Sequence, residues 1–333
     1  MREARLRTAV IVAALLGAGG GRADDSPALP PPTIPWQDPA AFALPFLQLP
    51  FDAPEPVRPG TLELSVRTIY SSTIAKAQSP TTSIDVDLET AQPILEVRWG
   101  FMSGAELDAA IPGAIDYAGF MTKPIRWVES LFDAVNPLRL GAPPRQGRLV
   151  VTRAGGASAE WVGTVGSVGD LRLGAKVRIR DQAGGLPALS WRTALTLPTA
   201  ALPFGSGSVQ AGGGLLAGWT FGETALRLAA DVATPAGDFT AARLHTRPHG
   251  DLQLGLSQRL APWASVVLQG SAHTSAIVGT GLSVIEGPTF YALAGAIFEP
   301  ARSVSISLGL VENVFANTRG ADFSGLLDLA WRN

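Results

Sequence analysis

The stretch Gly169-Asp-Leu-Arg-Leu-Gly-Ala-Lys-Val-Arg-Ile-Arg180 alternates apolar and polar side chains, and Leu189-Ser-Trp-Arg-Thr-Ala-Leu-Thr-Leu197 alternates in the same way. Between them, the residues from Asp181 to Gly185 have the composition of a turn. A period of two places successive side chains on opposite faces of a strand. The stretch therefore predicts a β-hairpin whose strands, of about ten residues each, are long enough to cross a bilayer when tilted.

The composition extends this prediction to the whole chain. Hydrophobic residues make up 46% of the 333 residues and charged residues 16%. Beyond the N-terminus, however, no apolar run approaches the roughly 18 residues that a membrane helix needs. Apolar side chains spread over alternate positions are typical of a membrane β-barrel, and a soluble β-sandwich is the alternative. The net charge of −2 gives no attraction to nucleic acid, and the absence of cysteine excludes disulfides and thiol chemistry.

Residues 1–23 have the features of a secretory signal peptide. Three arginines among the first seven residues precede a short apolar core that runs from Thr8 to Ala18. Small residues follow, and Gly21-Arg-Ala23 predicts cleavage after Ala23. A retained anchor helix is the alternative. Export places the mature protein in the envelope or outside the cell.

Residues 24–60 are rich in both proline and large apolar side chains, among them Phe46 and Phe51. The prolines exclude a helix or a central strand, and the apolar residues are too many for a solvated linker. We therefore expect this segment to lie inside or beneath the barrel as a plug that includes Phe46 and Phe51. A flexible periplasmic tether is the alternative.

From residue 61 to residue 333, short alternating stretches follow one another in meander order. They predict an all-β fold, a closed antiparallel transmembrane β-barrel of about twelve strands (roughly 10–14). Long connections such as 235–250 and 274–288 alternate with tight turns such as Phe221-Gly-Glu223. This asymmetry is typical of outer-membrane barrels, in which the short turns are periplasmic, and a soluble sandwich lacks it.

Residues 112–147 interrupt the alternation. Their apolar side chains recur at three- and four-residue spacing, which predicts a partly helical insert. A connection this long is uncommon in a barrel unless it has a function. We therefore predict a lid or constriction that gates the lumen through four of its side chains: Phe120, Trp127, Leu131 and Phe132.

Several separated motifs resemble one known family. They are the Pro-rich lead Phe46–Phe51, the stretch Gly169-Asp-Leu-Arg-Leu-Gly-Ala-Lys176, Leu197-Pro198 followed by Gly205-Ser-Gly207, and the ending Ala321-Asp-Phe323 with Trp331. As an ordered set over roughly residues 38–332, they resemble the Gram-negative envelope family called domain of unknown function 3187. The resemblance implies an outer-membrane-barrel-like architecture and supplies no catalytic residues. Barrels of this type usually end on an aromatic residue that the assembly machinery reads, whereas here Arg332 and Asn333 follow Trp331.

The sequence predicts no enzyme, metal site or cofactor. His245 and His249 flank Pro248, which prevents the helical geometry of a zinc-binding pair. Gly205-Ser-Gly-Ser208 lacks the Gly-Xaa-Ser-Xaa-Gly pattern of a nucleophile elbow. An envelope lipase or esterase is kept as an alternative.

The polar faces of the strands predict the lining of the lumen. The predicted lining residues are Arg172, Lys176, Arg178, Arg192, Arg227 and Asp231, with Glu63, Asp85, Asp87, Glu89 and Glu96 on the same side. Opposite charges either pair and fill a closed core, or line a path that filters a solute.

These features place the protein in the outer membrane of a Gram-negative bacterium, with the lipid bilayer and the outer-membrane assembly machinery as partners. The leading hypothesis is a plugged or gated channel or transporter for a small solute, with a hydrophobic one favoured. The alternative of a different class is a non-conducting structural or adhesive barrel.

Overall fold

A computed structural model describes residues 31–130, 138, 147–239, 243–315 and 320–333. The predicted signal peptide, Leu131 and Phe132 lie outside the described residues. In chain order the elements are β1 (Leu62–Gln78), β2 (Thr82–Met102), β3 (Ala105–Tyr117), α1 (Thr122–Ser130), β4 (Arg148–Arg153), β5 (Ser158–Val162), β6 (Val165–Val168), β7 (Leu171–Arg180), β8 (Ala188–Leu197), β9 (Gln210–Phe221), β10 (Thr224–Pro235), β11 (His245–Thr246), β12 (His249–Ala261), β13 (Ala264–His273), β14 (Ile277–Val278), α2 (Ser283–Glu286), β15 (Thr289–Ala301), β16 (Val304–Asn313) and β17 (Phe323–Arg332).

Twelve of these strands close into an antiparallel barrel. They are β1 to β3, β7 to β10, β12, β13 and β15 to β17, and each pairs with the next. β17 returns to pair with β1, with Phe323 opposite Ser72 and Arg332 opposite Glu63, so the wall has no open edge. The prediction of a closed antiparallel meander of about twelve strands is confirmed.

The wall exposes its apolar face and buries its polar face. On β7, Leu173 and Val177 are 41% and 47% exposed, whereas Arg172 and Lys176 are 8% and 3% exposed. Leu252 and Leu254 on β12 point outward in the same way. In water this arrangement would be costly, because it removes charges from solvent and leaves large apolar side chains in it. It is the arrangement of a barrel whose outer surface contacts lipid.

The two ends of the barrel differ in their connections. One end, here called the short-turn end, has the turns 103–104, 222–223, 262–263 and 302–303 and the longer connection 181–187. The other, called the long-loop end, has the turn 79–81 and the long connections that begin at residues 118, 198, 236, 274 and 314. Large exposed aromatic side chains ring the short-turn end: Trp99, Phe101, Trp191, Phe221, Trp263 and Trp331. Such a girdle is typical of a membrane–water interface, and the predicted asymmetry of the loops is confirmed.

β2 is one strand of 21 residues. Its even-numbered residues from Thr82 to Gly100 face the interior. Near the short-turn end the outward residues are apolar, as at Leu95 and Trp99, but nearer the long-loop end the apolar residues face inward, as at Ile84 and Val86. Asp85, Asp87 and Glu89 therefore lie on the outer face, and their prediction as lumen-lining residues is wrong. The reversal occurs because this part of β2 projects beyond the bilayer, with water outside it and apolar residues inside it.

β3 continues past Pro112 to Tyr117, so the predicted start of the insert at residue 112 is wrong. Pro112 lies where β3 changes its partner from β7 to β6. Its missing N–H is tolerated there, and its carbonyl accepts a hydrogen bond from the amide of Gly169. A Cβ on Gly169 would lie 2.8 Å from Cγ of Pro112, which explains the glycine. Among the described residues, no helix has both the length and the apolar character to span a membrane.

Candidate functional site

Residues 31–59, here called the plug, run through the lumen. At the short-turn end, the amide of Gly60 donates to the carbonyl of Gly100. Toward the long-loop end, the amide of Leu47 donates to Oε1 of Gln210. The chain then turns back, so that the carbonyl of Ile34 accepts from Gln269 near mid-barrel. The described part of the Pro-rich lead therefore lies inside the barrel.

Proline explains how this segment is held. A proline has a carbonyl but no N–H, so a Pro-rich segment offers more acceptors than donors. The wall supplies the complementary donors: Arg192 donates to the carbonyls of Leu49 and Pro50, and Ser190 donates to that of Pro54. His249 and Gln210 lie within hydrogen-bond distance of plug carbonyls nearer the long-loop end. The plug is thus fixed by directional bonds at many points along its length.

A carboxylate of the plug enters the charged lining of the wall. Oδ2 of Asp52 lies 2.7 Å from Nζ of Lys176, and Oδ1 lies 3.2 Å from Arg98. Lys176 also contacts Glu106 at 3.1 Å and donates to the carbonyl of Ala53. All these groups are shielded from solvent, so their attraction is stronger than that of a surface pair.

Glu96 is the centre of the neighbouring ion network. Its carboxylate lies 2.8 Å from Arg67, 2.8 Å from Arg172 and 3.3 Å from Arg98. Asp328 approaches Arg67 at 3.6 Å from the closing strand. Because burying a charge without a partner is costly, this network fixes the side chains of four strands relative to one another.

The remaining predicted lining residues separate into two groups. Arg192 makes a two-pronged pair with Asp231, at 2.8 and 2.6 Å, and both are buried. Arg227 is also buried, and Glu55 of the plug lies 3.8 Å from it. Arg178 differs from these, because it lies at the short-turn end and pairs with Asp181 of the adjoining turn at 2.7 Å. The structure therefore brings five of the six residues into the lumen and leaves Arg178 at its rim.

The apex of the plug is apolar. Phe42 and Phe46 pack into a buried cluster with residues from β2, β4 and the long loops: Ile84, Val86, Leu88, Leu149, Val151, Phe239, Leu244, Ile277, Leu282 and Ile285. β4 and β5 extend the projecting part of β2 to form one side of this dome. A cavity remains among these residues, and Trp161 also lines it. Its volume is about 10 Å³, which is enough for one water molecule. The dome closes the long-loop end in this state.

The first part of the insert lies outside the barrel, contrary to its prediction as a lid over the lumen. Glu89 points outward and accepts hydrogen bonds from the amides of Phe120 and Met121. The ring of Phe120 packs on that of Tyr70, which is also on the outer face, at 5.4 Å between centroids. Trp127 is 66% exposed. Outward-facing Glu89 attracts the insert, because a buried carboxylate needs donors.

Ser271, His273 and Asp251 meet on the lumen side of β12 and β13. His273 lies opposite Asp251, with 2.7 Å between Nδ1 and Oδ1, and its Nε2 lies 2.9 Å from Oγ of Ser271. These are the residue types of a hydrolase triad. All three are nevertheless buried, and the nearby amides of Gln253 and Gln269 already donate to carbonyls of the plug. A substrate carbonyl has no path to Ser271 in this state.

Sequence reasoning missed the carboxylates of the plug and their partners on the wall. Asp52 and Glu55 are acidic residues within an otherwise Pro-rich and apolar stretch, a signal that pointed to buried cations. Asp170 was also missed. Its carboxylate accepts from the amides of Ala200 and Ser206, and so ties the motif that begins at Gly169 to the loop after Leu197.

No family model matches this sequence, and no curated protein is similar to it, so the resemblance to domain of unknown function 3187 stays a prediction. Solved structures do match. An outer membrane channel from Pseudomonas putida F1 has a TM-score of 0.58 at 16% identity, over 84% of this chain and 97% of that chain. The NanC porin gives 0.47 at 7% identity, over 80% and 98%, and the Pseudomonas putida toluene transporter TodX gives 0.39 at 9%, over 90% and 98%. The first likeness shows that this chain has the fold of an outer-membrane β-barrel.

Proposed function

We propose that this protein is an outer-membrane channel for small apolar solutes, closed by its own N-terminal segment. In this proposal the aromatic girdle lies at the periplasmic interface, and the dome faces the outside of the cell. The outer-membrane assembly machinery inserts the barrel, reading a last strand in which Trp331 is the final aromatic residue. Membership of the domain of unknown function 3187 family is part of the same proposal.

One observation carries this function: the plug passes through the lumen but is held there only by non-covalent contacts. The part of the plug nearer the short-turn end is held by ion pairs and hydrogen bonds to the wall, and its apex is held by apolar packing against the dome. An apolar solute arriving at the dome competes for the surfaces that Phe42 and Phe46 cover. Solute binding would then offset the cost of moving the apex, and this makes the solute itself the opener.

A disulfide between plug and wall tests the proposal. A Cβ on Gly218 would lie 2.8 Å from Cγ of Pro54, so a cysteine pair at these positions is within bonding reach. The chain has no cysteine of its own, so the pair would be the only thiols present. We expect the oxidised P54C/G218C protein in liposomes to exclude toluene-sized solutes, and the reduced protein to admit them. The single variants P54C and G218C should not respond to reductant.

A structural or adhesive barrel is the second candidate, and the paired charges that fill the lumen favour it. If the oxidised and reduced forms exclude solutes equally, the channel proposal is wrong, and the plug is a permanent part of the core. Equal passage through both forms would also contradict the proposal, because the plug would then not close the path.

The position of His273 between Ser271 and Asp251, within hydrogen-bond distance of both, favours a hydrolase as an alternative. The plug covers this group, and we therefore expect a fluorophosphonate probe to leave the folded protein unlabelled. Labelling that S271A abolishes would establish the hydrolase.

A further inference from the structure

The donors that hold the lower part of the plug converge on one short segment. Between residues 49 and 53, the wall presents Lys176, Arg98 and Arg192, and the plug presents a carboxylate and three carbonyls. Each oxygen of Asp52 faces a different cation, Lys176 on β7 and Arg98 on β2. Two cations that each face one oxygen match the geometry of a carboxylate.

The plug adds carboxylates to cations of the wall. Each of Arg98 and Lys176 has one partner on the wall, in Glu96 and Glu106, and gains a second in Asp52. Arg227 has Glu55 of the plug as its ion-pair partner among the described residues. Withdrawal of the plug would therefore remove two negative charges from a buried, cation-bearing surface, and an anionic solute could replace them.

We propose that Lys176 and Arg98 form a binding site for the carboxylate of a small organic acid, and that Asp52 occupies this site when the channel is closed. The inference rests on the proposed function, because a solute reaches the site only when the plug moves. It narrows the solute class to apolar molecules that carry a carboxylate. The apolar dome would receive the hydrophobic body of such a molecule. After the plug had withdrawn, the carboxylate of the molecule would bind in the part of the lumen nearer the short-turn end, where Lys176, Arg98 and Arg192 lie; this part is here called the charged band.

Binding of benzoate, with neutral benzamide as its isosteric comparison, tests the site. Asp52→Asn removes the competing carboxylate while keeping the size of the side chain. We expect purified D52N protein to bind labelled benzoate in equilibrium dialysis at least about tenfold more tightly than the unsubstituted protein, because a charged competitor is lost. Benzamide should bind both proteins equally. Asp181→Asn, which removes an exposed carboxylate at the rim, is the matched control and should change neither affinity.

Second substitutions in the D52N background identify the cations. K176Q and R98Q should each weaken benzoate binding by about tenfold, and K176R should retain it. R98Q leaves Glu96 two arginine partners, so it provides the test if K176Q fails to fold. Equal affinity for benzoate and benzamide in D52N, or benzoate binding unaffected by both K176Q and R98Q, overturns the site. These results concern binding alone, so they are independent of the disulfide experiment. A barrel that binds benzoate but admits no solute would retain the site and refute the channel.

Discussion

The two halves of the lumen are built on different physical principles. Toward the short turns, the plug is held by ion pairs and directed hydrogen bonds, and the Lys176–Asp52 contact, at 2.7 Å, is the shortest of these ion pairs. Toward the long loops, hydrogen bonds to Gln210 and His249 remain, but the apex of the plug is held mainly by apolar packing around Phe42 and Phe46. Directed bonds hold a segment in one register, whereas apolar packing tolerates small displacements at a cost that rises with the area exposed. The difference implies that the dome opens before the charged band does.

The same difference appears in the wall. Along β2, the inward side chains change from the charged Glu96 and Arg98 to the apolar Ile84 and Val86. The half of the barrel nearer the short turns is surrounded by lipid, so its buried charges must find their partners inside the lumen. The dome is surrounded by water and must cover apolar surface instead. The plug follows this change in part, with Asp52 and Glu55 toward the short turns and Phe42 and Phe46 toward the long loops.

The largest effect is expected in the charged half. Glu96→Ala leaves Arg67, Arg98 and Arg172 without their shared partner, and breaking a buried ion pair in this way costs about 3–5 kcal/mol. Urea unfolding in detergent, followed by the loss of heat-modifiable migration on a gel, measures the change in free energy. Asp181→Ala breaks an exposed pair and should cost less than about 1 kcal/mol. Similar losses in both variants would show that the network contributes no more than a surface pair.

Phe46→Ala is expected to have the next largest effect and a different consequence. Removing a buried ring from the dome costs about 3 kcal/mol. Because the proposed function requires the dome to open first, we expect this variant to raise solute uptake in liposomes while the charged band stays intact. An F46A protein that is less stable but as impermeable as the original would mean that the charged band alone closes the lumen.

Lysine substitutions on the outer face of β2 locate the boundary between the halves. Leu95→Lys places a charge opposite lipid and should destabilise the barrel by about 2–3 kcal/mol. Ser83→Lys lies on the same face beyond the bilayer, where we expect a change within about 0.5 kcal/mol. Refolding into lipid vesicles from urea compares the two. Equal penalties would place the upper part of β2 inside the membrane and remove the distinction between the halves.

Most of the wall could be predicted from the sequence, because lipid outside and charge inside impose alternation on each strand. β7 and β8, for example, were predicted to within about one or two residues. The continuity of β2 could not be predicted, because the phase of its alternation reverses without any turn, at the point where the outside changes from lipid to water. The position of Phe120 could not be predicted, because it depends on the outward carboxylate of Glu89, which lies 31 residues away in sequence. The path of the plug depends on long-range pairs of the same kind.

The smallest expected effect is a pH dependence of the loop that forms the far side of the dome. Burial by itself would raise the pKa of Glu286, but the hydroxyl of Thr280 and the amides around it, including that of Gly281, donate to the carboxylate and hold its pKa below the ordinary value. A lowered pKa in the folded state means that the stabilisation is present at neutral pH. It is lost when the pH falls through the pKa of Glu286 in the folded state, which lies below the ordinary value of a glutamate. We therefore expect pepsin to cleave residues 274–288 more readily at pH 3 than at pH 5.

Glu286→Gln removes the titrating group and provides the control. The cleavage rate of the E286Q protein should differ little between the two pH values, once the pH dependence of pepsin itself has been corrected with an unfolded substrate. If E286Q retains the full pH dependence, another group controls the loop, and the dome responds to acid by a route that does not involve Thr280.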